Sequence, residues 1–410
     1  MYTVYPSKIF GTVRAPASKS ETHREYVLSA LAHGTSVIRN PLVSADTEAT
    51  LCGIAALGAN VVRNGSDVII TGGFLHAADD VIDCGNSGTT VRFLTGVASR
   101  ICGTTRFTGD KSLMKRPMQP LLDALSASCG AEFSFEDGIL SVTGSSREAV
   151  CAEIRGDISS QFISSLLIAG ISVKLTSPLV SSSYVDMTIH TLEMRDVHIE
   201  KTLEGFFVDS KRNVLLPRTA EISGDWSSAA FLFAAGALSG QVTVTGLDVD
   251  SIQGDKRIVS LLQKFGADIS FGDGITVSKS NLKACDADLS DTPDLFPALA
   301  VIAAAASGTS RLYGVSHLIY KESNRLSTMS AILSEMSASV EVSSGCVMIT
   351  GGKLHGASVS AESDHRLFMA AAVAGLCAEG TVSISDGDNV FAVSYPAFVQ
   401  DIRLLGGDIR

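Results

Sequence analysis

The sequence predicts a mixed α/β (α+β) fold of two domains, built from six copies of one structural unit. The first observation is a module that recurs about every 70 residues, longer than the roughly 20 to 50 residues of common solenoid repeats. The second is the order within each module, where a helix-like apolar pattern precedes a small-residue pair, an alternating strand, a turn and a second strand. A unit of about four strands and two helices fits this length.

The repeated module can be read directly from the chain. Four copies are LGANVVRNGSDVIITGG from Leu57, CGAEFSFEDGILSVTG from Cys129, FGADISFGDGITVS from Phe265 and MSASVEVSSGCVMITGG from Met336. LEMRDVHIEKTLEGFFV from Leu192 fits the same place with Glu193 at the glycine position, and LGGDIR from Leu405 begins a sixth copy. The glycine suits a helix end that turns through positive φ, and Asn64-Gly65 is typical of a hairpin turn.

The six copies divide into two groups of three. The sixth copy lacks its closing strands, and the strand-like segment from Thr3 to Arg14 can supply part of what is missing. We therefore expect a discontinuous C-terminal domain of residues 1–13 and 219–410, and an inserted domain of residues 14–218. Two chain crossings then form a hinge, and the cleft between the domains is the expected place for a ligand.

Composition and charge exclude several classes of protein. Of the 410 residues, 43 are acidic and 32 basic, for a net charge of −11, and no block of five like charges occurs, so no nucleic-acid surface is expected. The longest apolar runs are about ten residues, whereas a membrane-spanning helix needs roughly 18. The N-terminus lacks the pattern of a secretory signal, and the eight cysteines form no CxxC pair. We expect a cytoplasmic protein without membrane contact, disulfide framework, metal or cofactor.

Polar residues stand where the helices of the modules are predicted to begin. Ser18 precedes Glu21 by three residues, as in a capping box, and Thr292 is a predicted cap before Pro293. Similar starts are the glycine-rich turn at 85–89, the serines at 159–160 and the Ser363-Asp364 pair. Since a helix start presents N–H groups and a positive dipole end, several starts that converge can bind phosphate and carboxylate groups.

Cations also occupy several of these first turns, although the helix dipole disfavours them there by a few tenths of a kcal/mol. They are Lys19, Arg24, Arg92 and Arg366. Capping alone does not require them, so function explains them better.

Two further basic segments are informative only together with the others. Lys321 and Arg325 are four residues apart and are predicted to share a helix face, either as part of a site or as a solvated surface. Lys115 and Arg116 precede Pro117, which predicts extended backbone at the mouth of the next helix.

Taken together, these segments resemble the signature segments of the 5-enolpyruvylshikimate-3-phosphate (EPSP) synthase family. In order they are SKSETHR (18–24), GNSGTTVR (85–92), KRPM (115–118), SSQF (159–162), GDWSSAAF (224–231), IQGD (252–255), TPD (292–294), KESNR (321–325), DHR (364–366) and SYP (394–396). The resemblance implies a two-domain inside-out α/β barrel-like fold of six βαβαββ-type units, three per domain, with the active site in the cleft.

The resemblance also implies an activity. Members of the family transfer the enolpyruvyl group of phosphoenolpyruvate to the 5-hydroxyl of shikimate 3-phosphate and release phosphate, a step of the shikimate pathway to chorismate and the aromatic amino acids. The implied partners are these two small-molecule substrates. No cofactor is implied, and a monomer is expected.

Roles of individual residues follow from the same resemblance. Asp294 is implied to take the hydroxyl proton, Glu322 to transfer a proton at the methylene carbon, and Lys19 to contact both substrates. The residues implied to bind shikimate 3-phosphate are Lys19, Ser20, Arg24, Ser159, Ser160, Gln161, Ser181, Asp294, His317 and Lys321. Those implied to bind phosphoenolpyruvate are Lys19, Asn86, Gly88, Arg116, Gln161, Arg325 and Arg366.

Two positions depart from the family pattern. Val393 stands where family members often carry a lysine that touches phosphoenolpyruvate, so binding of that substrate is expected to be weaker or differently arranged. His317 stands where an asparagine is common, and we interpret it as a second contact to shikimate 3-phosphate.

Three alternative functions remain. One is a non-catalytic module that binds a phosphate sugar, although such a module has no use for the carboxylates Asp294 and Glu322. The sister transferase that uses UDP-N-acetylglucosamine shares the six-unit fold, but it usually carries a cysteine on the loop matching 108–117, where this chain has none. A non-catalytic, clamp-like ring of six repeats is the third alternative. Its DNA-facing helices should be basic along their length, whereas the helices predicted here are rich in alanine and leucine.

Overall fold

A computed structural model describes residues 1–209, 215–385 and 389–410 of the chain. Within these ranges the chain forms helices and short strands in regular alternation. The α-helices are α1 (Lys19–Leu31), α2 (Ala45–Ala56), α3 (Gly88–Ala98), α4 (Gln119–Cys129), α5 (Ser160–Ile168), α6 (Ser182–Glu193), α7 (Trp226–Ser239), α8 (Ile258–Lys264), α9 (Phe296–Ala305), α10 (Arg325–Glu335), α11 (His365–Cys377) and α12 (Phe398–Leu404).

The strands are mostly three to six residues long. In the first half of the chain they are β1 (Tyr2–Tyr5), β2 (Ile9–Arg14), β3 (Gly34–Arg39), β4 (Asn60–Asn64), β5 (Asp67–Gly72), β6 (Ile82–Asp83), β7 (Gly103–Thr108), β8 (Glu132–Glu136), β9 (Ile139–Gly144), β10 (Ala152–Ile154), β11 (Val173–Leu175), β12 (Ile199–Lys201) and β13 (Gly205–Val208). In the second half they are β14 (Thr219–Glu221), β15 (Gly240–Thr245), β16 (Asp268–Phe271), β17 (Ile275–Ser278), β18 (Asp286–Asp288), β19 (Thr309–Tyr313), β20 (Ser339–Ser343), β21 (Cys346–Thr350), β22 (Ser358–Val359), β23 (Val382–Ile384) and β24 (Asp408–Ile409).

These strands form six four-stranded sheets in the described part of the chain, all with one topology. In each sheet a parallel pair is extended by two antiparallel strands, as in β18-β19-β21-β20, where β18 and β19 are parallel. The other sheets are β14-β3-β5-β4, β6-β7-β9-β8, β10-β11-β13-β12, β16-β17-β15-β2 and β22-β23-β1-β24. The mixed α/β class and the sixfold repetition predicted from the sequence are confirmed.

The two ends of the chain share one sheet. β1 lies between β23 and β24, with Val4 opposite Val382 on one side and Ile409 on the other. The N-terminal strand therefore supplies the strand that the sixth copy lacks. β2 pairs instead with β15 in a different sheet.

The chain folds into two compact units. We call residues Met1–Pro16 and Ser223–Arg410 the terminal unit, and residues Ala17–Ile222 the inserted unit. These limits fall a few residues beyond the boundaries expected after residues 13 and 218. The reason at the second crossing is that β14 pairs with β3, which keeps Thr219–Glu221 with the inserted unit.

Each unit has its own hydrophobic core. In the terminal unit the core contains α7, α9 and α11, and every residue of α7 is buried. A helix that is apolar on all sides must lie inside the protein, and its many alanines allow close approach of its neighbours. The Ala-rich runs are therefore buried helices, as predicted.

The third repeat differs from its predicted register. The positive φ that Gly58 and Gly130 adopt after their helices is adopted there by Asp196, with φ 66°, and not by Glu193, which ends α6. Asp196 donates its backbone N–H to Glu193 O, three residues earlier, as Gly58 does to Ala55 O. The alignment on Glu193 was wrong by three residues because the sequence there has no glycine to mark the turn.

Candidate active site

The residues singled out from the sequence fall into two groups, one in each unit. The terminal unit contains Asp294, His317, Lys321, Glu322, Arg325 and Arg366. The inserted unit contains Lys19, Ser20, Arg24, Asn86, Gly88, Arg116, Ser159, Ser160, Gln161 and Ser181. Each group has its own network of polar contacts.

In the terminal unit, helix starts position the charged side chains. Asp294 lies in a 3-10 turn just before α9, and Arg325 is the first residue of α10, whose cap Asn324 accepts a hydrogen bond from Ser327 N at 3.3 Å. Asp364 caps α11 through Oδ1, which accepts the backbone N–H of Arg366 at 2.9 Å. These local caps fix where each charged group emerges from its helix.

Arg325 is the centre of this group. Its guanidinium is almost fully buried and contacts three carboxylates among the described residues. Nη1 lies 2.9 Å from Asp294 Oδ1, Nη2 lies 2.6 Å from Glu322 Oε2, and Nε lies 2.8 Å from Asp364 Oδ2. A guanidinium can serve three acceptors in this way because its five N–H groups point outward in one plane.

Asp294 is in turn surrounded by cations. Arg366 Nη2 lies 2.9 Å from its Oδ2, and Lys321 Nζ lies 3.8 Å from its Oδ1, beside the contact with Arg325. Burial alone raises the pKa of Asp294, but the charges of Arg366, Lys321 and Arg325 outweigh burial and hold that pKa well below its ordinary value. Asp294 is therefore an ionised carboxylate with a fixed orientation.

Burial also shifts the neighbouring groups. It lowers the pKa of Lys321, an effect that the charge of Asp294 partly offsets. Burial, followed by the charge of Lys321, lowers the pKa of His317 to about 4, so this imidazole is neutral at neutral pH. For Arg325 the opposing carboxylates, led by Asp364, overcome burial and raise the pKa.

The predicted helix face shared by Lys321 and Arg325 does not exist. α10 begins only at Arg325, because Asn324 caps it, and Lys321 lies in extended backbone after a 3-10 turn. The two side chains nevertheless meet at the same carboxylate, Asp294. Thr292 likewise makes no side-chain capping bond, since a 3-10 turn separates it from α9.

In the inserted unit, α1 contributes two cations, of which Arg24 is buried and Lys19 is half-buried. Ser18 caps this helix by accepting Glu21 N at 3.3 Å, and Lys19 Nζ lies 3.0 Å from Asp46 Oδ2 in the first turn of α2. Arg24 donates to Thr188 Oγ1 at 2.8 Å and also to the backbone oxygens of Ser20 and Tyr184. Burial lowers the pKa of Arg24 to about 10, so it stays charged at neutral pH.

A second cluster forms at the start of α3. Gln161 accepts a hydrogen bond from Arg92 Nη1 at 2.5 Å and donates to Thr89 Oγ1 at 3.0 Å. Arg116 donates to the backbone oxygen of Asn86 at 3.1 Å and also to the side-chain oxygen of the same residue. The structure thus brings together four predicted residues of the glycine-rich turn, KRPM and SSQF segments, which are Asn86, Gly88, Arg116 and Gln161.

Gly88 allows the side chains of this cluster to approach the backbone closely. A Cβ at this position would lie 3.0 Å from Arg92 Nη1, 3.3 Å from Arg116 Nη1 and 3.5 Å from Gln161 Oε1. Two guanidinium groups therefore flank the bare backbone at the N-terminus of α3. That arrangement suits a phosphate or carboxylate group.

The predicted serines lie at two other helix starts. Ser159 caps α5 and accepts Gln161 N at 3.3 Å, and Ser160 is the first residue of this helix. Ser181 precedes α6 with a left-handed backbone, φ 56°, and is buried. A serine held at positive φ is uncommon and places its hydroxyl by backbone geometry rather than by a capping bond.

Four charged residues that belong to these groups were not assigned a role from the sequence. They are Asp46, Arg92, Asp255 and Asp364. Arg92 could be recognised in the sequence as a candidate, since a cation in a first turn opposes the helix dipole. The three acidic residues could not, because acidic residues at helix starts look like ordinary caps. Asp255 is hydrogen-bonded by the Ser227 hydroxyl, and burial, with the charge of Asp294, raises its pKa to about 7.

Two kinds of feature are absent from the described ranges. None of the helices there has the length and apolarity needed to cross a membrane. Among the same residues, no group of three or more His, Cys, Asp or Glu side chains is arranged to hold a metal ion.

Comparison with known proteins identifies the class and then the family. An enolpyruvyl transferase, NikO from Streptomyces tendae, superposes with a TM-score of 0.78 over 100% of this chain and 98% of its own, at 17% identity. The fold is thus that of the enolpyruvyl transferases. The family model described as EPSP synthase (3-phosphoshikimate 1-carboxyvinyltransferase) matches residues 4–402, and the chain belongs to this family.

Individual relatives agree with this assignment. The 3-phosphoshikimate 1-carboxyvinyltransferase of Methanocorpusculum labreanum is 47% identical, covering 98% of this chain and 98% of its own length. The solved EPSP synthase of Acinetobacter baumannii superposes with a TM-score of 0.81 at 26% identity, over 100% of this chain and 99% of its own. Membership of the family disfavours both the UDP-sugar enzyme and the clamp-like ring.

Proposed function

We propose that the protein transfers the enolpyruvyl group of phosphoenolpyruvate to the 5-hydroxyl of shikimate 3-phosphate and releases inorganic phosphate. The observation that carries this proposal is the Asp294 carboxylate held by Arg366 and Arg325, in a chain that matches the EPSP synthase family over nearly its whole length. An ionised carboxylate in a fixed orientation can accept the proton of a hydroxyl group.

The reaction needs a base, an acid and charge neutralisation. Asp294 accepts the proton of the 5-hydroxyl as its oxygen bonds to the central carbon of phosphoenolpyruvate. Glu322, oriented by Arg325 at 2.6 Å, serves proton transfer at the methylene carbon, which becomes a methyl group in the tetrahedral adduct. The C–O bond to phosphate then breaks, and loss of one methyl proton restores the methylene group.

The remaining predicted residues bind the two substrates. Ser20, Arg24, Ser159, Ser160 and Ser181 of the inserted unit are assigned to shikimate 3-phosphate, as are His317 and Lys321 of the terminal unit. Lys19 and Gln161 contact both substrates in this proposal. His317 suits the role because it is neutral and can exchange a hydrogen bond with a hydroxyl without a charge change.

Phosphoenolpyruvate carries both a phosphate and a carboxylate, which arginine binds in bidentate fashion. Gly88, Asn86 and Arg116 of the inserted unit are assigned to it, together with Arg325 and Arg366 of the terminal unit. The surroundings of Gly88 support this assignment, since guanidinium nitrogens of Arg92 and Arg116 lie 3.0 and 3.3 Å from where a Cβ of residue 88 would be. Because Val393 stands where family members often carry a lysine, we expect phosphoenolpyruvate to bind more weakly or in a different arrangement.

Phosphate release tests the proposal. The purified protein should release phosphate when both substrates are present, but not with either one alone or with UDP-N-acetylglucosamine as acceptor. Asp294→Asn should lower the rate by about 10² to 10⁴-fold, because the base is lost while size is kept. Asp286→Asn, in an exposed pair with Arg311, is the control and should leave the rate unchanged.

The outcomes separate function from site. No phosphate from the wild-type protein would refute the proposed reaction. Full activity of Asp294→Asn would refute the assignment of the base while leaving the reaction in place. Light scattering on the same sample tests the expected monomer.

A further inference from the structure

A continuous row of buried polar side chains connects the first three helices of the inserted unit. His23 on α1, Thr50 on α2, and Thr90 and Ser87 at the start of α3 are all almost completely inaccessible to solvent. His23 Nδ1 lies 2.7 Å from Thr50 Oγ1, which lies 2.6 Å from Thr90 Oγ1, and Thr90 Oγ1 lies 2.7 Å from Ser87 Oγ. The row thus runs from an interior histidine to the cap of α3.

The hydrogen bonds along the row are donated in one direction, from His23 towards Ser87. Ser87 Oγ accepts the backbone N–H of Thr90 at 3.2 Å as the cap of α3, and it also accepts the Thr90 hydroxyl. A hydroxyl has one proton, so Thr90 accepts from Thr50, and Thr50 accepts from His23. The alternative acceptor for Thr90, the backbone oxygen of Asp46, is more distant at 3.3 Å. His23 therefore carries its ring proton on Nδ1.

The charge state of His23 is consistent with this direction. Burial, together with the charges of Lys19 and Arg24, holds the pKa of His23 well below its ordinary value. The neutral ring has one N–H, which is the one on Nδ1, and Nε2 finds no hydrogen-bond partner among the described residues. An apolar side chain would fill this space without burying such an atom, so packing alone does not explain a histidine here.

The far end of the row lies next to the candidate anion site around Gly88. Ser87 is followed by Gly88, whose backbone lies between Arg92 and Arg116. Ser87 Oγ caps the first turn of α3 and also accepts the Thr90 hydroxyl. The row therefore helps to fix the backbone at this helix start.

We propose that His23 is a positioning residue for phosphoenolpyruvate, acting through Thr50 and Thr90 on the Ser87 cap and the Gly88 turn. The inference rests on the proposed function, because it concerns the phosphoenolpyruvate pocket of that reaction. In this role His23 orients the binding site and transfers no proton to the substrate. Interruption of the hydrogen bonds between His23 and Ser87 therefore raises the KM for phosphoenolpyruvate more than it changes kcat or the KM for shikimate 3-phosphate.

Two substitutions at His23 test this directly. His23→Leu keeps the volume and removes the donor, and we expect the KM for phosphoenolpyruvate to rise about tenfold, within the range that small misplacements cause. His23→Asn places an amide N–H roughly where Nδ1–H lies, so it should restore KM to within about twofold of the wild-type value. A merely structural role would lower thermal stability in both variants without this rescue.

Thr50→Val interrupts the same row from α2 and should raise the same KM to a similar extent. The double variant His23→Leu with Thr50→Val should add little further, because both break one connected row. Thr95→Val is the matched control, since Thr95 is buried on α3 and its Oγ1 has no hydrogen-bond partner in the described ranges. It should leave both KM values unchanged.

The outcomes are distinguishable. An unchanged KM for phosphoenolpyruvate in His23→Leu, or equal rises in His23→Leu and His23→Asn, would overturn the positioning role while the reaction stands. No turnover by the wild-type protein would overturn the proposed function and this inference with it. Should His23→Leu not fold, Thr50→Val against Thr95→Val decides the same question.

Discussion

At the scale of single residues, the structure changes the expected role of one arginine most. The resemblance assigns Arg325 to phosphoenolpyruvate, and that assignment stays a prediction. In the structure its guanidinium holds Asp294, Glu322 and Asp364 together. Three buried or half-buried carboxylates would repel one another without it, so Arg325 organises the proposed acid and base.

Arg325→Lys tests this organising role. Lysine keeps the charge but cannot serve three separate acceptors, so we expect a loss of about 3 to 5 kcal/mol in the free energy of unfolding. The kcat/KM should fall at least about 100-fold, because the acid and base are no longer held in place. Denaturant unfolding and phosphate release measure the two effects.

A matched control is available in the same unit. Arg311 forms an exposed pair with Asp286 at 3.5 Å, and Arg311→Lys should cost no more than about 1 kcal/mol and leave turnover unchanged. Equal effects of the two substitutions would show that Arg325 has no special role.

The sequence predicted the cations of the candidate site better than their partners. Lys19 and Arg366 were recognisable because a cation in a first helical turn opposes the dipole. Asp46 and Asp364, which contact Lys19 and Arg325, were not, since an acidic residue at a helix start is the usual cap. Pairing across the sequence depends on tertiary packing, which no local pattern encodes.

At the scale of secondary-structure elements, turns with distinctive residues were predicted well. Gly65 has positive φ in the hairpin β4–β5, as the Asn64-Gly65 pair predicted, and Gly138 has positive φ in the hairpin β8–β9. Where the marker residue is missing, prediction failed. Asp196 adopts the positive φ in the third repeat, and Asn324 delays the start of α10 to Arg325.

At the scale of the whole molecule, the chain closes on itself. Thr3 N donates to Arg410 O at 2.8 Å, and Arg410 N donates to Thr3 O at 2.9 Å, so the two termini are neighbours in one sheet. The repeat count predicted that an N-terminal strand would complete the sixth copy, because LGGDIR breaks off before its hairpin. It could not predict that Tyr2–Tyr5 alone does so while Ile9–Arg14 pairs elsewhere.

Circular permutation tests this closure. A short Gly/Ser linker from Arg410 to Met1, with new termini in the exposed turn at 272–274, should give a folded protein with kcat/KM within about threefold of the wild type. The turn between β16 and β17 contains no core residue. New termini between Ala300 and Val301, inside the buried helix α9, should prevent folding. Failure of the first permutant would contradict the closure of the chain through β1.

Enolpyruvyl transfer by this chain proceeds, in the proposed reaction, through proton addition at the methylene carbon of phosphoenolpyruvate. The most direct measurement is mass spectrometry of the product formed from both substrates in deuterium oxide. We expect one phosphate for each molecule of 5-enolpyruvylshikimate 3-phosphate, with deuterium in the methylene group of that product. The reason is that a methyl group with one solvent-derived hydrogen forms and then loses one of its three hydrogens. Phosphate release without the enolpyruvyl product, or a product free of deuterium in that group, would contradict the proposed reaction.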